Sequence, residues 1–311
     1  MNISPHKTYL VINPGSRHGH GRRTGTTVCR LLQAAGEAFD CGETRSLDDA
    51  EHLAHHAATA GYGTVVAVGG DGTINRVISG LMRARSNGTR LGVLYAGTSP
   101  DFCRFHGLPT DPRGAVDVLC AGRARAIDVG RLRHNDGWGR ERIDYFASSA
   151  NIGLGAGVAA RANRYRPRTG DFLGTLLASL RTIAGHRPRR VQLTLDGRAL
   201  PPTSVMNITV GKNPYLASGL KLNLDMAASD GRLFVFALTG IGRRQLIAAL
   251  PGLYSGRAAG DRRFLFTHAQ RVQITPLDGK LQTEFDGDPA GWCPAELTVL
   301  PRAVALIGAS G

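Results

Sequence analysis

The sequence predicts an α/β protein of two domains, an N-terminal α/β domain with a parallel sheet over residues 1–127 and a C-terminal β-rich sandwich over 128–311. Three observations predict it. The chain has 311 residues, more than one hydrophobic core usually serves. In the first part, short apolar β-type runs alternate with segments of helical period, the pattern of βαβ units. Past Ile127 short β runs separated by turn residues take over, the mark of antiparallel sheets.

The elements follow in order. "TYLVIN" (Thr8–Asn13) reads as a buried strand, and "PGSRHGHG" after it as a glycine-rich loop. A helix is expected over Arg23–Ala35, a short strand near Ala38–Cys41 and a second helix over Leu47–Ala60. "TVVAV" is the next strand, Ile74–Arg85 the next helix, and "LGVLYAG" a further strand ending in a turn. Ligands on parallel sheets bind beyond the carboxyl ends of the strands. Both glycine-rich turns and "AGTSPD" fall at such ends. In the second domain "RVQLTLDG", "SVMNITVG", "GRLFVFAL", "RVQITPLDG", "LQTEFDG" and "AELTVL" read as strands. One segment breaks the pattern: Phe172, Leu173, Leu176, Leu177, Leu180 and Ile183 recur at helical spacing. The expected place for that stripe is the core or an interdomain contact. Arg187, Arg189 and Arg190 beside it leave membrane contact as the alternative.

Composition narrows the function classes. A formal charge of +14 and a pI near 10.3 favour anionic partners such as nucleotides or phospholipid surfaces, although the arginines are scattered along the chain. No recognised nucleic-acid motif accompanies the charge, so no specific nucleic-acid partner is expected. Five cysteines, an odd number without a CxxC pair, fit neither a disulfide framework nor a zinc site. The start lacks a signal-peptide core, and no stretch approaches the ~20 apolar residues of a membrane span. The expectation is a cytoplasmic protein with a peripheral membrane contact.

The chemistry-bearing stretch is "VVAVGGDGTINRV", Val65–Val77. Gly69, Gly70 and Gly72 permit positive φ and close backbone approach. Backbone N–H groups there, with the helix that follows, suit a phosphate. Asp71 would repel a bare phosphate, so it calls for a magnesium ion, a nucleotide hydroxyl or a backbone donor. The other reading is a tight strand–helix turn with Asp71 as N-cap. Neither GxxxxGK[ST] nor a placed GxGxxG occurs.

The whole string resembles the signature of the diacylglycerol kinase catalytic-domain family, which includes bacterial lipid kinases and sphingosine and ceramide kinases and is distantly related to NAD kinases. "YLVINPGSRHGHG", "LYAGTSPDFCRFHGLP", "ARAIDVGRL", "ASGLKLNLDMAASDGRLFVFAL" and "EFDGDPAG" resemble further family segments in the family's order. The resemblance implies an NAD kinase/diacylglycerol kinase-like fold, a nucleotide-binding domain and a lipid-substrate domain with the active site in the cleft between them. It implies transfer of phosphate from ATP, with Mg²⁺, to a hydroxyl of diacylglycerol or a related lipid at a membrane surface. A homodimer is among the expected assemblies. By the same resemblance, Asn13, Thr44, Gly69, Gly70, Asp71, Gly72, Thr73, Ile74, Asn75 and Thr98 would contact the nucleotide. Asp230, with the carbonyls of Ala227 and Arg232, would match a structural magnesium site. Asp288 stands where the family has its catalytic glutamate, and Asp286 where it has the preceding aspartate, with Asp71 the third candidate for the chemistry. Two departures are visible: Pro100 replaces an asparagine, and Asp288 is one methylene shorter than glutamate. They favour one alternative, a non-catalytic member that binds nucleotide or lipid, and the shared "GGDGT" turn leaves another open, an NAD-kinase-like enzyme with a soluble substrate.

Overall fold

The structure is a computed structural model and describes residues 7–85, 88–216, 220–240, 242, 244–246 and 264–308. The first three residues of "ASGLKL", 217–219, lie outside the described residues. The chain forms two compact units. One runs to Val129 and takes in the chain again from Pro301; the other holds Gly130–Leu216 and Leu220–Leu300. The expected boundary at residue 127 therefore misses the return of the chain's end to the first unit.

The first unit is built from β1 (Thr8–Ile12), α1 (Ser16–Ala34), β2 (Phe39–Glu43), α2 (Leu47–Thr59), β3 (Thr64–Gly69), α3 (Asp71–Ala84), β4 (Arg90–Tyr95), α4 (Asp101–His106) and α5 (Pro112–Ala121). β1 lies between β2 and β3, β3 pairs with β4, and all three pairings are parallel. Leu10, Ile12, Val66, Val68 and Leu94 are buried against Val28 and Leu32 of α1 and Val116 of α5. α3 buries Ile74, Val77, Ile78 and Leu81, an i, i+3, i+4, i+7 stripe. Two helices start earlier than the sequence suggests. α1 already includes Ser16, because the Asn13 side chain accepts the Gly15 N–H (3.1 Å) and the Asn13 carbonyl accepts the Ser16 hydroxyl (3.0 Å). α3 starts on Asp71, with Gly70 as its N-cap.

The second unit begins within β5 (Ala124–Asn135) and continues through β6 (Glu141–Phe146), β7 (Ser149–Gly153), α6 (Leu154–Thr169), α7 (Asp171–Gly185), β8 (Arg189–Leu195), β9 (Arg198–Ala199), β10 (Thr203–Gly211), β11 (Tyr215–Leu216), β12 (Leu220–Lys221), β13 (Leu233–Thr239), β14 (Phe264–Ala269), β15 (Arg271–Pro276), β16 (Gln282–Phe285) and β17 (Asp288–Ile307). Its strands pair antiparallel: β10 runs between β7 and β13, β13 also pairs with β14, and β16 runs between β7 and β17. Strand alternation gives β13 two buried faces. Leu233, Val235 and Ala237 enter one core with Ile152, Ile208 and Ile274, while Phe234, Phe236 and Leu238 enter another with Leu154 of α6 and Ile183 of α7. α6 has no counterpart in the sequence reading, since its two glycines, Pro167 and the run of arginines obscure a helical period. The far end of β17 is the segment that rejoins the first unit. Arg302 turns there with φ 50°, its N–H donates to Asp128 (2.9 Å), and Ala305 and Leu306 pair in parallel with Arg90 and Leu91 of β4.

Candidate functional site

The first unit gathers polar groups at the carboxyl ends of its strands. Asn13 follows β1. Its N–H donates to the Val68 carbonyl (2.9 Å) and its side-chain amide to the Thr73 hydroxyl (2.9 Å). The loop after β1 is thereby tied to the first turn of α3. Thr44 follows β2 and is buried, its N–H donating to the Ile12 carbonyl (2.8 Å). Asn13, Ser16, Arg22, Thr44, Arg45 and Ser46 line a cavity of about 660 Å³, within the usual range for small-ligand sites. Two permanently charged guanidiniums and several hydroxyl and backbone donors in one cavity suit a polyphosphate.

The "GGDGT" turn closes beside it. None of Gly69, Gly70 and Gly72 has positive φ, so that part of the expectation fails, and Gly69 and Gly70 act through close approach. A Cβ on Gly69 would lie 2.4 Å from Thr73 Oγ1, and one on Gly70 would lie 3.1 Å from the Gly97 Cα. The Ala96 N–H donates to the Gly69 carbonyl (2.8 Å), which draws the ends of β3 and β4 together. Asp71 is the first residue of α3 rather than its N-cap, a position where negative charge favours the helix. Its carboxylate accepts the N–H of Asp101 (3.3 Å). Burial pushes the Cys103 thiol up to about 12, and the Asp71 charge adds to the effect. Pro100 is the N-cap of α4, where its carbonyl accepts the Arg104 N–H (2.9 Å) and the helix requires no N–H from it. Thr73 and Asn75 are buried, and Thr98 is exposed. Ile74 is a correction. Its side chain is fully buried and its N–H is donated to the Gly70 carbonyl (3.0 Å), so it presents nothing to a nucleotide.

In the second unit, Asp286 and Gly287 form the two-residue turn between β16 and β17, with Phe285 facing Asp288 across it. Their φ values, 45° and 92°, are those of the Asp-Gly hairpin turn. The Asp286 carboxylate accepts the N–H groups of Ala147 (2.9 Å), Ser148 (3.1 Å) and Ser149 (2.8 Å). Burial raises its carboxyl to about 6, against the pull of those three donors. It anchors the turn that presents Asp288, which is half-buried.

Beneath the turn lies an acid absent from the sequence reading. Glu284 is buried; one carboxylate oxygen accepts the Gly287 N–H and the other the Asn151 side-chain amide (2.7 Å). Asn151 accepts the Thr209 hydroxyl (2.7 Å), Asn207 donates to the same hydroxyl (2.9 Å), and Asn207 accepts the Gly155 N–H (2.7 Å). Burial raises Glu284 to about 8 from 4.5, with the Asp286 and Asp288 charges adding to it. A carboxyl whose folded pKa is raised contributes stability below its unfolded pKa and loses it as pH rises through the folded one. Wild-type melting temperature is therefore expected to fall between pH 5 and 8, and Glu284→Gln to flatten much of that slope, a difference on the order of 5 kcal/mol at most. Equal slopes in the two proteins would place the titration elsewhere.

The proposed magnesium ligands do not fit a resident divalent cation. Asp230 accepts the Lys212 ammonium and the Arg232 N–H (3.1 Å) on one oxygen, and the Ala227 N–H (3.1 Å) and the Arg232 guanidinium (3.2 Å) on the other. The Lys212 ammonium also donates to the Arg232 carbonyl (3.1 Å). Among the described residues no cluster of three or more His, Cys, Asp or Glu could hold a metal.

The leucine stripe is a further correction. Leu173, Leu176, Leu177 and Leu180 of α7 are 38–49 % exposed, not core. The Phe172 side chain lies outside the described residues. Exposed Arg161, Arg164, Arg168, Arg181 and Arg187 lie on or beside α6 and α7. Among the described residues no helix is long and apolar enough to cross a membrane.

Comparison with known proteins bears on both units. The "Diacylglycerol kinase catalytic domain" profile matches residues 7–132, and the "YegS C-terminal NAD kinase beta sandwich-like domain" profile matches residues 148–308. A diacylglycerol kinase of Bacillus subtilis (strain 168) is 28% identical over 302 residues, covering 96% of this chain and 95% of its own. One of Mycobacterium tuberculosis (strain H37Rv) is 28% identical over 304 residues, covering 97% and 94%. The crystal structure of a putative diacylglycerol kinase from Bacillus anthracis str. Sterne shares the fold, with a TM-score of 0.77 at 21% identity over 98% of this chain and 97% of that one. Yeast NADH kinase complexed with NADH shares it more distantly, with a TM-score of 0.58 at 11% identity over 99% and 84%.

Proposed function

The chain belongs to the diacylglycerol kinase catalytic-domain family and is a lipid kinase, and from that premise we propose that it transfers the γ-phosphoryl group of ATP to the free hydroxyl of diacylglycerol. The observation that carries the nucleotide side of this reading is the cavity at the carboxyl ends of β1 and β2, with Arg22 and Arg45 in its wall and Asn13 linking it to the Gly69–Thr73 turn. ATP enters as its magnesium complex, a substrate. The two guanidiniums balance phosphate charge, and the close-packed glycines let backbone donors approach. Asp71, which opens α3 beside the Gly69–Gly70 turn, would orient the magnesium or a hydroxyl of the bound nucleotide. Phosphoryl transfer asks the protein chiefly for positioning, charge balance and a group to receive the hydroxyl proton. Asp288 is that group, and Asp286 positions it through the turn.

The exposed leucines of α7 among arginines support an acceptor met at an anionic membrane surface, since apolar insertion and charge attraction add there. The test is phosphorylation of diacylglycerol in anionic vesicles beside a soluble short-chain diacylglycerol. Wild type should convert both to the phosphomonoester. Leu176→Glu with Leu177→Glu should slow the vesicle reaction about 10-fold or more and spare the soluble one. No product on either acceptor, with NAD phosphorylated instead, would refute the proposed acceptor. Equal loss on both acceptors would remove α7 from membrane contact.

A further inference from the structure

We propose that the Lys212 ammonium takes the place of a structural metal ion in the second unit, so that this protein folds and keeps its shape without a resident divalent cation. The ammonium rests on two oxygens that the resemblance assigns to magnesium, the Asp230 carboxylate and the Arg232 carbonyl, the latter at 3.1 Å.

Lys212 follows directly on β10, and its N–H donates to the Ser148 carbonyl (2.8 Å), which fixes where its side chain starts. The side chain is only 1 % exposed. A buried ammonium is costly unless paired and hydrogen-bonded, and Asp230 with the Arg232 carbonyl supplies both. The Arg232 guanidinium brings a second positive charge to the same carboxylate, at 3.2 Å. Burial works against ionisation of Asp230, yet Lys212 and the N–H groups of Ala227 and Arg232 hold its carboxyl below the usual value. The carboxylate is charged and balanced by cations that belong to the chain.

Magnesium demands near-octahedral oxygen ligands at about 2.0–2.1 Å and gives up its waters reluctantly. Here it would have to displace the ammonium from both oxygens, and would leave that ammonium buried beside a divalent charge. The lysine does connecting work of its own, through an ion pair and hydrogen bonds. It joins the end of β10 to the turn before β13, a link that an ion held by Asp230 and the carbonyls of Ala227 and Arg232 would not make. This inference concerns the second unit alone and stands whichever alcohol the enzyme phosphorylates.

The experiment is thermal unfolding without nucleotide, in EDTA or in millimolar MgCl₂, for wild type, Asp230→Asn and Lys212→Ala. Wild type is expected to melt at the same temperature in both buffers. Lys212→Ala should melt lower in EDTA and recover several degrees in magnesium, because removing the ammonium frees the oxygens for the ion. A magnesium-dependent rise in wild type that Asp230→Asn abolishes would overturn the proposal, and this comparison decides the matter even if Lys212→Ala does not fold. A folded Lys212→Ala that is destabilised but indifferent to magnesium would also overturn it.

Discussion

Asp288→Asn is expected to lower kcat on the lipid acceptor by about 10²–10⁴-fold, the usual contribution of acid–base catalysis, while leaving the affinity for ATP unchanged. The proton leaves the acceptor hydroxyl only on the way to the transition state, so the loss belongs to kcat and not to nucleotide binding. The hairpin separates Asp288 from its neighbour. The Asp286 carboxylate is committed to three backbone N–H groups of residues 147–149, whereas Asp288 lies just past the turn on β17. Asp286→Asn should consequently lower the melting temperature, and Asp288→Asn should not. Asp288→Glu is informative because it lengthens the reach by one methylene. A pocket fitted to aspartate makes it worse, since misplacement of about 1 Å can cost 10²-fold. Steady-state kinetics with melting curves for all three variants check this. Full turnover by Asp288→Asn would end the assignment.

Asp71→Asn is expected to reduce ATP-dependent turnover at least about 10²-fold with the fold intact, the order of loss seen when one positioned electrostatic group is removed. Asparagine keeps an oxygen to accept the Asp101 N–H, which Asp71 accepts at 3.3 Å. What it loses is the charge at the start of α3, beside the Gly69–Gly70 turn. Part of that charge serves the helix dipole, a contribution of about 0.3–1 kcal/mol, too small to unfold the unit. A normal melting temperature with unchanged kcat would remove Asp71 from the mechanism.

Much of this architecture was legible in the sequence because it rests on local signals. Alternation of apolar runs with helical segments marked the first unit, and glycine turns at strand ends marked its cavity, where Asn13 and Thr44 stand. The Asp286–Gly287 pair carries the Asp-Gly signal of a hairpin turn, which the sequence reading passed over in placing Asp286 by resemblance. The other misses share a cause: they depend on partners remote in sequence. Glu284 lies between Thr283 and Phe285 in a strand and reads locally as one more alternating polar residue; Asn151, 133 positions away, is what satisfies it in the core. Lys212 looks like an ordinary surface lysine until Asp230 and the Arg232 carbonyl are brought to it. Helical period revealed the leucine stripe of α7, but period specifies only that residues share a face, and here that face is exposed. Ile74 was drawn into the site by its place in "GGDGTIN", whereas the geometry of α3 turns it into the core.

The most direct test of the central claim is transfer of label from γ-labelled ATP, with magnesium, into a total lipid extract, run in parallel with wild type and Asp288→Asn. The account predicts one dominant labelled lipid, identified as the phosphomonoester of diacylglycerol, formed by wild type and reduced at least about 10²-fold in the variant. Label confined to soluble products, or equal labelling of the lipid by both proteins, would contradict it.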